Sequence, residues 1–76
     1  MERKSAVAVQ YTQHARDRMV ERGISEDEIE AVLSAPHVRY TDIKGNPIYR
    51  AEVGGRHIKV VIAKGIDPPR VITVAD

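Results

Sequence analysis

The spacing of the apolar residues changes at Pro36, and this change divides the chain into a helical part and a strand part. Before Pro36, Ala15 and Met19 are four residues apart, as are Ile29 and Leu33, which is the spacing of one helix face. After Pro36, apolar and polar residues alternate, as in strands with one buried face. The sequence therefore predicts an α+β fold in which two N-terminal helices pack on an antiparallel sheet of about four strands.

Start and stop signals set the ends of the two helices. Thr12 is a predicted N-cap and Gly23 a predicted left-handed C-terminal residue, which places the first helix at about residues 13–22. Residues 25–28 read Ser-Glu-Asp-Glu and fit a capping box, with serine at the N-cap and glutamate three residues later. Pro36 ends the second helix, because the residue before a proline avoids helical angles.

The strand part contains one turn that also predicts a register. The strands are expected at about residues 38–43, 48–53, 56–63 and 70–74. Gly54-Gly55 is a strong signal for a two-residue hairpin turn, which sets Val53 opposite Arg56. One face of the hairpin is then apolar and should hold the helices. The other face is half polar and is expected to be open to solvent or ligand. It carries Ile48, Arg50, Glu52, His57, Lys59 and Val61.

Length and composition limit the remaining possibilities. The chain has 76 residues, a net charge of +1 and no cysteine, so disulfides are excluded and a structural zinc site or other cofactor is not expected. Residues 1–10 are predicted to be a lead-in, either an edge strand at 5–10 or an extended segment, and residues 11–76 one domain. No apolar run has membrane-spanning length and no signal peptide is recognised. We expect a cytoplasmic protein.

The first candidate site lies on the first helix. His14, Arg18 and Arg22 recur every fourth residue and so lie along one helix face. Histidine exchanges protons near neutral pH and arginine pairs with phosphate, the two roles that metal-independent RNA cleavage requires. The alternative is that they are surface residues paired with carboxylates, for instance Arg18 with Glu21.

Two further candidates lie on the strands. Arg50 would face Lys59 and Glu52 would face His57, and like charges directly opposite are unfavourable unless an anion lies between them. This pattern is typical of a phosphate-binding surface, or alternatively of a solvated sheet face screened by salt. The other candidate is Arg70 with Thr73 on the last strand, where Thr73 would donate a hydrogen bond to a ligand. Alternatively, Thr73 is simply a β-branched residue suited to a strand.

Several segments resemble a known family. YTQHARDRMVERGIS, GNPIYRAEVGGRHIKVVIA and VITV are similar to the small bacterial family called domain of unknown function four-two-five-eight, and more distantly to the RelE and BrnT toxins. The resemblance implies a helical pair on a curved antiparallel sheet, as in RelE and barnase. It matches His14 and Arg18 to the family's motif histidine and arginine. It also places Arg50, Lys59 and Thr73 on strands where RelE-like nucleases hold active-site groups.

The resulting functional hypothesis is a metal-independent RNase-like toxin of a toxin–antitoxin system. Its partners would be RNA and a cognate antitoxin. His14 would transfer the proton, Arg18 would bind the scissile phosphate, and Arg50, Lys59, His57 and Thr73 would bind RNA. The alternatives are a non-catalytic homodimeric interaction module and an RNA-binding domain on the same fold. The near-neutral charge departs from the strongly basic character common among ribosome-dependent RelE toxins.

Overall fold

The computed structural model describes residues 9–76, which form two helices and a mixed five-stranded sheet. The elements are β1 (Gln10–Tyr11), α1 (Gln13–Arg22), α2 (Glu26–Ser34), β2 (Val38–Thr41), β3 (Pro47–Val53), β4 (Arg56–Ile62) and β5 (Arg70–Ala75). The strands lie in the order β1-β5-β4-β3-β2. β1 is parallel to β5, and every other pairing in the described sheet is antiparallel.

Helix α1 has the predicted ends. The Thr12 hydroxyl accepts a hydrogen bond from the N–H of Ala15 at 3.0 Å, which satisfies a free donor of the first turn. The same hydroxyl donates to the carbonyl of Ile72 at 3.0 Å, so the cap also ties α1 to β5. Gly23 closes the helix at φ 66°, a left-handed conformation that glycine adopts at little steric cost.

Helix α2 begins with the predicted capping box. The N–H of Ser25 donates to the Glu28 carboxylate at 2.8 Å, and the N–H of Glu28 donates to the Ser25 hydroxyl at 3.1 Å. The helix ends at Ser34, two residues before Pro36. Among residues 9–76, no helix is both long and apolar enough to cross a membrane.

The sheet has one strand more than the four predicted. The additional strand, β1, covers only Gln10 and Tyr11 of the described chain, and most of the edge strand predicted at 5–10 lies outside the described residues. Strand β2 ends at Thr41, not at residue 43 as predicted. The reason is a turn at Asp42, whose carboxylate accepts the N–H groups of Lys44 and Asn46 at 2.9 and 2.8 Å.

The predicted hairpin register is confirmed. Val53 pairs with Arg56, and Arg50 pairs with Lys59. Between β4 and β5 the register shifts at Val61/Ile62. Alternate residues of the three central strands consequently point to two distinct faces.

One sheet face and the two helices enclose the hydrophobic core. Ala15 and Met19 of α1 are buried, as predicted, at 0% and 7% exposure. They pack with Ile29, which is fully buried on α2. The other buried members of this core are Ile24, Val32, Ala51, Ile58, Val60, Ile62, Val71 and Val74. The core faces of β3, β4 and β5 therefore all lie under the helices.

Arg56 joins both helices to the end of the sheet. Its guanidinium donates to the carbonyls of Arg22 and Gly23 at 2.6 and 2.9 Å, which are free acceptors at the end of α1. It also pairs with the Asp76 carboxylate at 2.8 Å and lies 3.7 Å from that of Glu28. The hydrogen bond from Arg56 lowers the pKa of Asp76 below its usual value.

Replacing Arg56 by glutamine is expected to lower the melting temperature more than replacing Arg16 by glutamine. Both changes break one short ion pair, since Arg16 lies 2.6 Å from Glu26. Only Arg56→Gln also leaves helix carbonyls without their donor. Thermal unfolding followed by circular dichroism measures the difference, and equal losses would show that the helix carbonyls do not depend on Arg56.

The ion pair between Arg56 and Asp76 predicts a pH effect on stability. The pKa of Asp76 is lowered in the folded state. The ionised Asp76 carboxylate therefore contributes to folding stability above the unfolded pKa, close to 3.8. This contribution is lost as pH falls through the folded pKa. Acidification over this range should therefore cost the wild-type protein more stability than Arg56→Gln, as measured by thermal unfolding at each pH. Parallel curves for the two proteins would contradict this linkage.

Candidate functional site

The sheet face opposite the helices, called here the open face, carries three rows of side chains. The pairings of β2 to β5 set directly opposite residues side by side on this face. The rows are Tyr40-Ile48-Val61-Thr73, Val38-Arg50-Lys59-Ala75 and Glu52-His57. The middle row therefore brings an arginine and a lysine directly against each other.

Ile48 and Val61 were expected to lie open to solvent on this face. Both are nearly buried, at 7% and 9% exposure. Tyr40 and Thr73 flank them in the same row, and Tyr40 is 40% exposed. Apolar surface on this row is thus accessible mainly at its β2 edge.

Two adjoining cavities lie beside the middle row. The smaller, of about 130 Å³, is lined by Arg50, His57, Lys59, Ala75 and Asp76. The larger, of about 390 Å³, also contains Arg50 and His57 in its lining. Its other lining residues are His37, Val38, Tyr40, Ala51 and Ile58. Arg50 and His57 thus belong to both, and we call Arg50, His57 and Lys59 the cationic cluster.

The charges of the cationic cluster are not offset by a direct ion pair. Within residues 9–76, neither Arg50 nor Lys59 has a carboxylate within 4.0 Å. The carboxylate that lines the smaller cavity, Asp76, is already engaged by Arg56 at 2.8 Å. Like charges directly opposite each other on a sheet are unfavourable, so this position favours an anionic ligand.

The two site residues predicted on α1 lie apart from this cluster. α1 packs its buried residues with the core face of the sheet, and neither His14 nor Arg18 lines the two cavities. The His14 side chain is exposed. Arg18 pairs with Glu21 at 3.3 Å, and its Nε is buried without a hydrogen-bond partner. The sheet thus separates the helix face that carries these two residues from the cationic cluster.

Arg22 is the member of the same helix row that contacts a residue lining the smaller cavity. Its guanidinium lies 3.8 Å from the carboxylate of Asp76, which lines the smaller cavity. Thr73 lies on the open face but lines neither cavity. The structure therefore gathers Arg50, Lys59 and His57, and leaves His14, Arg18 and Thr73 outside that group.

His37 and Tyr40 line the larger cavity but were not predicted as site residues. His37 is held by a hydrogen bond of 3.4 Å that its Nδ1 accepts from the N–H of Glu52. Tyr40 shares a face with Val38 because the two residues are two positions apart on β2. Their position beside Arg50, however, requires the pairing of β2 with β3. The residue alternation was visible in the sequence, whereas this pairing was not.

Tyr40 is the tyrosine available to a ligand on the open face. Tyr11 packs against the core, with its hydroxyl buried and the Arg16 guanidinium 4.6 Å from its ring centroid. Burial, followed by the negative charge of Glu26, raises the pKa of Tyr11 to about 12. Tyr49 also packs against the core. Tyr11 and Tyr49 therefore serve the core, and Tyr40 does not.

The donor set of the cationic cluster suits phosphate oxygens. Arginine can hold a phosphate through two parallel hydrogen bonds, and lysine supplies a compact positive charge. Histidine adds a group that exchanges protons near neutral pH. Residues 9–76 contain no group of three or more His, Asp or Glu side chains that could hold a metal ion.

Comparison with known proteins identifies the family. The family model described as "Domain of unknown function (DUF4258)" matches residues 11–76. Comparisons with curated proteins and with solved structures gave no significant match. Because the family model covers α1, α2 and the strands that carry the cationic cluster, the chain belongs to the DUF4258 family.

Proposed function

We propose that this protein binds RNA and holds its phosphodiester backbone against the cationic cluster on the open face. The observation that carries the proposal is the direct pairing of Arg50 with Lys59 beside His57 at one cavity. Neither of the two has a carboxylate partner among residues 9–76. A bound phosphate would relieve the repulsion between them.

The spacing of the cluster is suited to a phosphodiester. Side chains directly opposite on neighbouring strands have Cβ atoms roughly 5 Å apart, so Arg50 and Lys59 can both reach one phosphate. The net charge of the chain is only +1. Attraction for RNA must therefore come from this local cluster, since the overall charge of the protein is nearly neutral.

The resemblance to RelE and BrnT toxins supports RNA as the polyanion. The sequence resemblance would place Arg50, Lys59 and Thr73 on strands where RelE-like nucleases hold active-site groups. A toxin of this kind would act on RNA and be held inactive by a cognate antitoxin. The proposed RNA-binding face does not depend on that partner, and it can be tested with the isolated protein.

Salt dependence of RNA binding tests the proposal. Affinity for a labelled single-stranded RNA should fall with salt, and Lys59→Gln should reduce the log–log slope by roughly 0.7, the value for one lost phosphate contact. Lys64→Gln is the matched control, because Lys64 is exposed and lines neither cavity. Fluorescence anisotropy across a salt series measures both, and equal slopes for the two variants would contradict the proposal.

RNA cleavage without a metal is a second candidate, and one specific observation favours it. His57 lines both cavities, and His37 lines the larger one beside Arg50. One imidazole would take the proton of a ribose 2′-hydroxyl, and the 2′-oxygen would attack phosphorus. The bond from phosphorus to the 5′-oxygen would break, and a second proton donor would protonate that oxygen. The products would carry a 2′,3′-cyclic phosphate and a 5′-hydroxyl.

The position of the phosphate site decides which histidine the second candidate uses. The sequence motif indicated His14 for proton transfer and Arg18 for binding the scissile phosphate, and both residues lie on α1. The structure offers His57 beside Arg50 and Lys59, where the phosphate would be bound. We therefore propose His57 as the proton-transferring group, and Arg50 and Lys59 as the groups that stabilise charge on the phosphoryl oxygens.

A further inference from the structure

The larger cavity of the open face lies at the edge of the sheet and combines an aromatic side chain with the cationic cluster. Tyr40 and Val38 line it from β2, and Arg50 and His57 line it from β3 and β4. All four residues of β2 are exposed. A flat ring can therefore enter the cavity from the side of the sheet without displacing another strand.

We propose that this cavity is a nucleobase subsite in which an unpaired RNA base stacks on Tyr40. This inference rests on the proposed binding of the RNA backbone by Arg50 and Lys59, and it adds the class of RNA that is bound. Base stacking on aromatic side chains adds sequence-independent affinity to the backbone contacts in single-strand binding. The ligand is accordingly a single-stranded RNA segment.

The arrangement of the two cavities supports this assignment. They share Arg50 and His57, so a group in the larger cavity lies next to a group in the smaller one. A nucleotide likewise places its base next to a phosphate. The volume of about 390 Å³ is in the range of cavities that hold small organic ligands. The larger cavity would hold the base and the smaller one the phosphate.

The burial pattern of the open face limits where a base can stack. Ile48 and Val61 share the row of Tyr40 but are nearly buried, so they offer little apolar surface. Tyr11 and Tyr49 pack against the core on the other side of the sheet. Tyr40, 40% exposed, is thus the aromatic surface on which a base next to the cationic cluster can stack.

Duplex RNA would not use this subsite. Bases inside a duplex are paired and stacked on each other, and aromatic side chains stack on RNA bases mostly in single-stranded loops, bulges and ends. A protein that bound through Arg50 and Lys59 alone would accept single-stranded and duplex RNA by their phosphates. The proposal therefore predicts a preference for single strands that depends on Tyr40.

Binding of three ligands by Tyr40 variants tests the subsite. The ligands are a labelled single-stranded RNA, a strand of equal length with abasic sites throughout, and the corresponding duplex. Tyr40→Ala and Tyr40→Leu should weaken single-strand binding roughly 5- to 150-fold, since each stacked base contributes that range. Tyr40→Phe should keep the wild-type affinity because it keeps the ring. Binding of the abasic strand and of the duplex should be unchanged in all three variants.

Other outcomes would separate failure of the subsite from failure of the proposed function. Unchanged single-strand binding by both Tyr40→Leu and Tyr40→Ala would overturn the subsite alone. Equal losses for RNA and for the abasic strand would also overturn it, because the tyrosine would then act on the backbone site. If the wild-type protein binds neither strand, or if Lys59→Gln binds both as well as Lys64→Gln does, the proposed RNA-binding function itself is overturned.

Discussion

Replacing Ile29 by alanine is expected to lower the free energy of unfolding by roughly 2–5 kcal/mol, the usual cost of truncating a buried isoleucine. Ile29 is fully buried on α2 and packs in the core between the helices and the sheet. The variant would lose its apolar contacts and leave a cavity. Small domains have little stability to spare, so a large fraction of the molecules should unfold at moderate urea concentrations.

The matched control is Ile43→Ala, which removes the same atoms from a fully exposed side chain. Ile43 is 101% exposed in the turn after β2, and its loss should change stability by no more than about 0.5 kcal/mol. Urea unfolding followed by circular dichroism measures both variants. Similar midpoints for the two would show that α2 does not contribute to the core as described.

RNA cleavage, if present, is expected to persist in EDTA and to fall roughly 10²–10⁴-fold in His57→Ala, the range for loss of a general acid or base. The reason is that His57 lines the smaller cavity together with Arg50 and Lys59. Cleavage of a labelled RNA, with mapping of the product ends, measures the effect. A 2′,3′-cyclic phosphate at the cut end is the expected product.

His14→Ala is the informative comparison for His57→Ala. Both remove one imidazole from an exposed residue, but only His57 lines the cavities beside Arg50. Activity lost in His14→Ala and kept in His57→Ala would place the reaction on α1, as the sequence motif suggested. Activity lost in EDTA would reject the metal-independent mechanism. Binding with no cleavage by any variant would leave RNA binding as the function.

Local chemistry made several elements predictable from the sequence. Thr12 and Gly23 set the ends of α1, and Ser25 with Glu28 set the start of α2, because caps act through hydrogen bonds between near neighbours. Gly54 and Gly55 set the β3–β4 register in the same way. Asp42 was the exception, since its hydrogen bonds to the following N–H groups end β2 earlier than the alternating pattern indicates.

The membership of the candidate site depended on contacts between distant segments. The sequence predicted Arg50 opposite Lys59, because one tight turn joins their strands. It did not place Tyr40 beside Arg50, since the pairing of β2 with β3 is not determined by a two-residue turn. The burial of Ile48 and Val61 was missed because it depends on the surroundings of the assembled sheet.

The sequence by itself determined the helix caps, the central hairpin and the division of each element into apolar and polar sides. The spacing of apolar residues is enough for this, because the backbone conformation of a helix or strand sets which side chains point to the same side. Only the tertiary structure decided which polar groups meet. Packing of α1 on the core face puts His14 and Arg18 across the sheet from Arg50 and Lys59. Which residues share a site depends on the face that each element buries.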